Sequence, residues 1–288
     1  MYTKSYNING NGALAVGADA ENLNRFFADA GIPVWGICRF ADFADHLLPC
    51  AAIRRIPEQA QTILTALFPY RTEEPRGDLS RYAAVPDYHL IAGKMLEDAA
   101  EKMRVCFAGY QFVPFCDNSP IPEVEAAVRS GLGVKGCNRL LIHPVYGSWV
   151  FVGEIVTDYP VEAPPVRVGS CLKCGLCEME CPGGALQNGA FDQAKCLSAI
   201  TQKKKDLTQQ EIDLIRAGGL VWGCDRCQEV CPMNRHTQIT PIAAFRDGVD
   251  PWFRADQDLR KKDRAYLWRG EQVPGRNASL LKEGQPTK

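Results

Sequence analysis

Apolar positions in the first part of the chain follow two periods. In ENLNRFFADAGI, Leu23, Phe26, Phe27 and Ile32 fall near helical spacing, and Gly31 with Pro33 ends the pattern, which predicts a helix. Short apolar runs come next, VWGICRF, TILTALF, RVCFAGYQFVPF and SWVFVGEIV, with the length and composition of strands. Between them GKMLEDAAEKM sets Met95, Leu96, Ala99 and Met103 on one helical face, and PEVEAAVRSG opens with Pro122 and closes at Gly131. The mixture predicts an α/β layout.

The pattern changes at YPVEAPPVRVGS, whose prolines read as a connector, with a boundary near Pro165. Beyond it, TQQEIDLIRAGG begins with a capping box, Thr208 and Glu211, and ends at Gly218, so a short helix separates two groups of cysteines. The expected organisation is therefore a domain over 1–165, a cysteine-rich domain over 166–235 and a polar tail over 236–288 that packs on the core.

Composition is ordinary for a globular chain of 288 residues, 46% hydrophobic and 23% charged. The N-terminus MYTKSYNINGNG lacks the apolar run of a secretory signal, and no stretch approaches the length of a membrane span, so a cytoplasmic location is expected. Thirteen cysteines then take on a specific meaning, because a cytosolic chain keeps thiols reduced and clustered cysteines there bind metal more often than each other. A net charge of -1 gives no global attraction to nucleic acid or anionic lipid; neither DNA nor a membrane is expected as a partner.

The first group, CLKCGLCEMECPGGAL, places Cys171, Cys174, Cys177 and Cys181 in CxxCxxCxxxCP, the bacterial ferredoxin run. In that run the fourth cysteine serves a second cluster, so a partner group is required. Cys196 and then WGCDRCQEVCPMN supply it, with Cys224, Cys227 and Cys231. The cross-over assigns Cys171, Cys174, Cys177 and Cys231 to one [4Fe-4S] cluster, and Cys181, Cys196, Cys224 and Cys227 to a second. Zinc sites use paired CxxC knuckles and rarely this three-plus-one run. Cys38, Cys50, Cys106, Cys116 and Cys137 show no ligand spacing; most sit in apolar runs, as small buried thiols do, and Cys137 falls in a loop.

The succession SRYAAVPDYH, then CDNSPIPEVEAAVRSGLGVKGCNRLLIHPVYGSWVFVGEIVTD, then the two cysteine groups, resembles the epoxyqueuosine reductase family of cobalamin-dependent iron-sulfur enzymes in tRNA modification. The resemblance runs from about residue 20 to 235, and AYLWRGEQVPGRNASLL is similar to that family's ending. It implies an α+β, nitroreductase-like cobalamin-binding domain joined to a double-cluster ferredoxin-like domain. It further implies an oxidoreductase of queuosine biosynthesis in which an external low-potential donor feeds the clusters and these feed base-off cobalamin. Asp117 in FCDNSP takes the place of the family's proton donor, a role that calls for burial to raise its pKa. Read alone, Asp117 is a turn or cap residue.

The resemblance places Arg81, Tyr88, Asn138, Ser198, Cys224 and Asp225 at the corrinoid, and Lys205 at tRNA. Without it, Tyr88 reads as a core aromatic, Asn138 as a turn residue, Ser198 as a cap and the KKK run at 203–205 as a solvated face. DYHLIAG misses DxHxxG by one residue, so His89 reads as structural rather than as a cobalt ligand. The glycine loop departs from the family's GLGWxGKN, with Val134 and Cys137 replacing tryptophan and lysine. That departure keeps open a paralogue acting on a small molecule, and an electron-transfer or corrinoid-activating protein.

Overall fold

A computed structural model describes residues 18–73, 77–166, 169–254 and 263–283. In chain order the elements are α1 (Ala18–Asp29), β1 (Val34–Arg39), β2 (Thr62–Pro69), α2 (Arg81–Ala84), α3 (Tyr88–Cys106), β3 (Phe112–Cys116), α4 (Glu123–Arg129), β4 (Val134–Lys135), β5 (Leu141–Ile142) and β6 (Val150–Thr157). They continue with α5 (Leu176–Met179), β7 (Leu186–Gln187), β8 (Ala190–Phe191), α6 (Leu197–Thr201), α7 (Gln209–Gly218), α8 (Arg226–Glu229), α9 (Ala243–Asp247) and α10 (Gln272–Glu283). The chain folds as two compact units. The first joins 1–69, 89–135 and 141–170; the second joins 70–88, 136–140 and 171–288. No helix among the described residues is long and apolar enough to cross a membrane.

The first unit is built on a four-stranded sheet of order β1-β2-β6-β3, antiparallel at every pairing. That makes it α+β in the strict sense, with no parallel crossovers. Every residue of β2 is buried, as expected of a strand covered on both faces. Helix α3 buries Ala92, Leu96, Ala99, Ala100 and Met103, one stripe at helical spacing. It lies so close to β6 that a Cβ on Gly153 would stand 2.8 Å from the Leu96 side chain. Helix α1 contributes Leu23 and Phe27, and Phe27 stacks on Trp35 of β1 at 4.5 Å between ring centroids.

The run RVCFAGYQFVPF reads as one strand but divides in two. Arg104 to Cys106 complete α3, and only Phe112 to Cys116 form β3. Val105 is exposed, so this apolar residue has no sheet to face, and the Arg104 guanidinium closes the corner by donating to the Phe112 carbonyl.

The second unit gathers Leu79, Ala83, Ala84, Val221, Trp222, Tyr266 and Val273 into one core and Leu197, Ile200 and Ile215 into a second. The segment 70–88 is stitched in by backbone bonds, from Ser80 N–H to the Trp222 carbonyl at 2.9 Å and from Val221 N–H to Asp78 at 2.7 Å. In α10 the fully buried Asn277 donates its amide to the carbonyls of Thr201 and Val221. Both halves of the capping box on α7 form, and the helix ends at Gly218 as its sequence predicts, with Gly219 after it in the left-handed conformation at φ +67°. Replacing Thr208 with Ala leaves the Glu211 N–H without its cap; the expected loss is about 1 kcal/mol of stability, read as a lower urea midpoint, against no change for Gln209→Ala.

Candidate functional site

Both cysteine groups lie in the second unit. The first bends around Lys173 and Gly175, whose φ values of +51° and +77° turn the chain sharply before α5. Cys196 caps α6, Cys224 precedes α8, and Cys231 stands before the turn that Pro232 opens. At Gly183 the two groups approach so closely that a Cβ would collide with the Lys195 carbonyl.

The thiols fall into two sets of electrostatic neighbours. Cys177 senses Cys174 and Cys231, and Cys231 senses Cys174 and Cys171. Cys224 senses Cys196 and Cys181, while Cys227 senses Cys224, Cys196 and Cys181 before Cys177. Burial, then neighbouring negative charge, pushes Cys224 up to about 11 and Cys227 higher still. Such thiols ionise only when a metal takes the charge, and N–H donors such as that of Ala185 to the Cys181 sulfur at 3.3 Å add to it. Among the described residues no three donors converge on the position of a single ion. A cubane takes its thiolates at separate irons, so its set of four need not converge.

Cys137 stands beside the first set. Its sulfur is 3.5 Å from that of Cys171, on a turn closed by the Gly136 N–H to the Leu140 carbonyl. The turn is fastened to the cysteine segment by the Asn138 amide, 3.5 Å from the Cys227 carbonyl, and by Arg139 donating to Gly189. The hydrogen bond with Cys171, then burial, raises the Cys137 thiol to about 11, while Cys171 is lowered despite its burial. The pair therefore ionises at Cys171 first.

Of the residues expected at a corrinoid, Arg81 gives its backbone N–H to the Asp225 carboxylate at 2.8 Å, and Asp225 is buried at the start of α8. Arg81, Cys224 and Asp225 line one pocket with Leu79, Ala84 and Leu197. Ser198 follows Leu197 and hydrogen-bonds Tyr82; Tyr88 opens α3, half-buried. Near the pocket a buried hydroxyl, Ser80 Oγ, has no partner, and a Cβ on Gly223 would strike it. Apolar Leu79, Ala84 and Leu197 beside a buried carboxylate, an unused hydroxyl and close backbone are a donor set whose chemistry fits a macrocycle fringed with amides. Lys205 is exposed, its carbonyl taking Arg276, and Lys203 is held by Glu211 at 2.9 Å.

Asp117 lies in the first unit, where β3 runs into two consecutive left-handed residues, Asp117 at φ +56° and Asn118 at φ +46°. Both cost backbone strain, to which Asp and Asn are the most tolerant non-glycine residues. The His89 ring nitrogen is 2.9 Å from the Asp117 carboxylate, across from the first turn of α3. Burial falls elsewhere than the sequence leads one to expect. The Asp117 side chain is 55% exposed, whereas Glu123 at the start of α4 is pushed up to about 8, first by burial and next by Asp117. Glu154, in the middle of β6 and fully buried, is raised well above the carboxylate range by burial and by Glu123; it accepts from Ser119 at 3.1 Å. One oxygen of each glutamate is shielded and unpartnered. Glu123 and Glu154 escaped sequence reading, since neither has motif spacing to Asp117, and the sequence, which reads His89 as structural, does not show its contact with Asp117.

Glu123 binds its proton more tightly folded than unfolded, so between about 4.5 and about 8 the folded state holds the extra proton and stability falls as pH rises. Glu123→Gln removes this slope. In urea titrations the variant should gain on the wild type as pH climbs from about 5 to about 8, with the gain levelling above that window.

Residues 170–234 match the family described as a 4Fe-4S double cluster binding domain. Epoxyqueuosine reductase of Aliivibrio fischeri is 36% identical over 168 residues, 58% of this chain and 45% of that protein; the enzyme of Lactococcus garvieae is 33% identical, covering 73% and 62%. The chain spans about half the length of most of the curated relatives it matches. Among solved structures, epoxyqueuosine reductase from Streptococcus thermophilus aligns with TM-score 0.78 at 22% identity, over 93% of this chain and 82% of the other. An epoxyqueuosine reductase bound to an epoxyqueuosine-modified tRNA stem loop aligns at 0.77 and 24%, over 91% and 80%. A reductive dehalogenase, described as B12-dependent, aligns at 0.51 and 19%, over 93% and 36%. In sequence the chain is similar to epoxyqueuosine reductases at 32–36% identity, and it shares the fold of the solved ones.

Proposed function

We propose that this protein reduces epoxyqueuosine to queuosine in tRNA, using two [4Fe-4S] clusters and cobalamin. The observation that carries the reading is the match of residues 170–234, which hold eight cysteines in doubled ferredoxin spacing, to a 4Fe-4S double cluster binding domain. Cys171, Cys174, Cys177 and Cys231 hold one cluster; Cys181, Cys196, Cys224 and Cys227 hold the other. Electrons come from an external low-potential donor, in the cytoplasm where tRNA is processed.

Arg81, Tyr88, Asn138, Ser198, Cys224 and Asp225 hold the corrinoid, which when bound supplies a strongly reducing cobalt. The pocket at Arg81 and Asp225 offers a buried carboxylate and backbone groups to its amide fringe, beside apolar Leu79, Ala84 and Leu197. Asp117 protonates the oxygen released when the epoxide is reduced. His89 orients the Asp117 carboxyl, and the Asp117 N–H, donated to the Glu123 carboxyl, fixes the turn that presents it. Lys205, exposed, meets tRNA phosphate.

One observation favours a second reading, a paralogue with the same cofactors and a small-molecule substrate: Val134 and Cys137 stand where the family carries tryptophan and lysine. An electron-transfer or corrinoid-activating role would instead leave Asp117 idle.

Protein loaded with clusters and cobalamin, offered tRNA that carries the epoxide, separates the three. Turnover is expected, with a fall of roughly 10²–10⁴-fold in Asp117→Asn while cluster and corrinoid absorbance stay in place. No turnover on that tRNA, together with tRNA affinity indifferent to added salt, would exclude the tRNA reaction, because phosphate contacts release counterions. Equal activity of Asp117→Asn and wild type would remove the acid from the mechanism.

A further inference from the structure

We propose that Cys137 is a hydrogen-bond donor to the sulfur of Cys171 and raises the reduction potential of the cluster that Cys171 holds. The inference rests on the reading of Cys171 as a ligand.

The two sulfurs are 3.5 Å apart, within reach of an S–H donor and far beyond the 2.05 Å or so of a disulfide. The cross-over fills all four positions of this cluster with Cys171, Cys174, Cys177 and Cys231, so no iron is left for Cys137. What the thiol can offer is its proton. Reduction adds one electron from the external donor, and the added negative charge spreads over the cluster and its thiolate sulfurs. A donor aimed at one of those sulfurs stabilises the reduced state more than the oxidised state, which moves the potential upward.

The placement is built rather than incidental. Cys137 is second in the turn 136–140, which is closed on itself by the Gly136 N–H to Leu140 and the Arg139 N–H to Gly136. On its far side the turn is moored by the Asn138 amide at the Cys227 carbonyl and by the Arg139 side chain at the Gly189 carbonyl. Those moorings follow Cys137 directly in sequence and hold its sulfur near Cys171. A neutral thiol at this distance acts by a directional hydrogen bond, confined to one ligand of one cluster, so the second cluster lies outside its reach.

Anaerobically purified, cluster-loaded wild type, Cys137→Ala and Cys137→Ser are compared by iron content and by potentiometric titration followed by electron paramagnetic resonance. Full iron in all three is expected. Cys137→Ala should lower the midpoint of one cluster and leave the other in place, and Cys137→Ser, which keeps a shorter-reaching donor, should fall between. Unchanged midpoints in Cys137→Ala overturn the inference, as does loss of iron, which would make Cys137 a ligand. Adding Cys171→Ala in the Cys137→Ala background tests the underlying reading separately: iron should drop, and undiminished iron would show that Cys171 is no ligand.

Discussion

Four thiolates held around one cluster repel each other, and the second unit is organised by that cost. Burial and mutual charge drive Cys224 and Cys227 far above the ordinary thiol range, so without iron these side chains remain protonated. Iron reverses the balance by taking the charge, and in the ligand sets proposed above the coordination would tie segments that are distant in sequence, 171–181 to 231 and 181 to 196–227. Tight backbone approaches, such as Gly183 against Lys195, follow from this demand, because the loops must close on a shared centre without side chains between them.

The first unit meets a different constraint, a carboxyl in the middle of a sheet. Glu154 sits on the central strand β6 with Thr65 and Phe115 as its cross-strand neighbours, and it is fully buried. Ionised there it would cost several kcal/mol, so it stays protonated, hydrogen-bonded through Ser119 to the same turn that carries Asp117. Glu123 adds a second shielded acid under that turn. The turn that carries Asp117 is thus mounted on two carboxyl groups held neutral by burial at neutral pH.

Much of this was legible wherever the signal was local. The capping box on α7 was visible in Thr208 and Glu211, and the stripe on α3 in Leu96, Ala99 and Met103, because short-range backbone bonds and helical period leave their mark in adjacent residues. The cysteine spacing was equally plain, since a loop around a cluster needs fixed intervals. Failures came where partners are remote. Nothing local in SWVFVGEIV marks Glu154 as a buried acid, and only the register with β2 and β3 on either side buries it. His89 meets Asp117 across 28 residues and Cys137 meets Cys171 across 34, distances at which no period operates. The RVCF run misled because apolar composition alone cannot separate the end of a helix from the start of a strand.

Asn277 brings the last helix of the chain into the core of the second unit. Its amide closes on the carbonyls of Thr201 and Val221, and Ser80 has already had to wait for Trp222. A ribosome releasing this chain from its N-terminus therefore exposes all eight ligand cysteines before the last helix exists to seal the core around them. The interval between the emergence of Cys231 and that of Asn277 leaves the cysteine loops without their final brace.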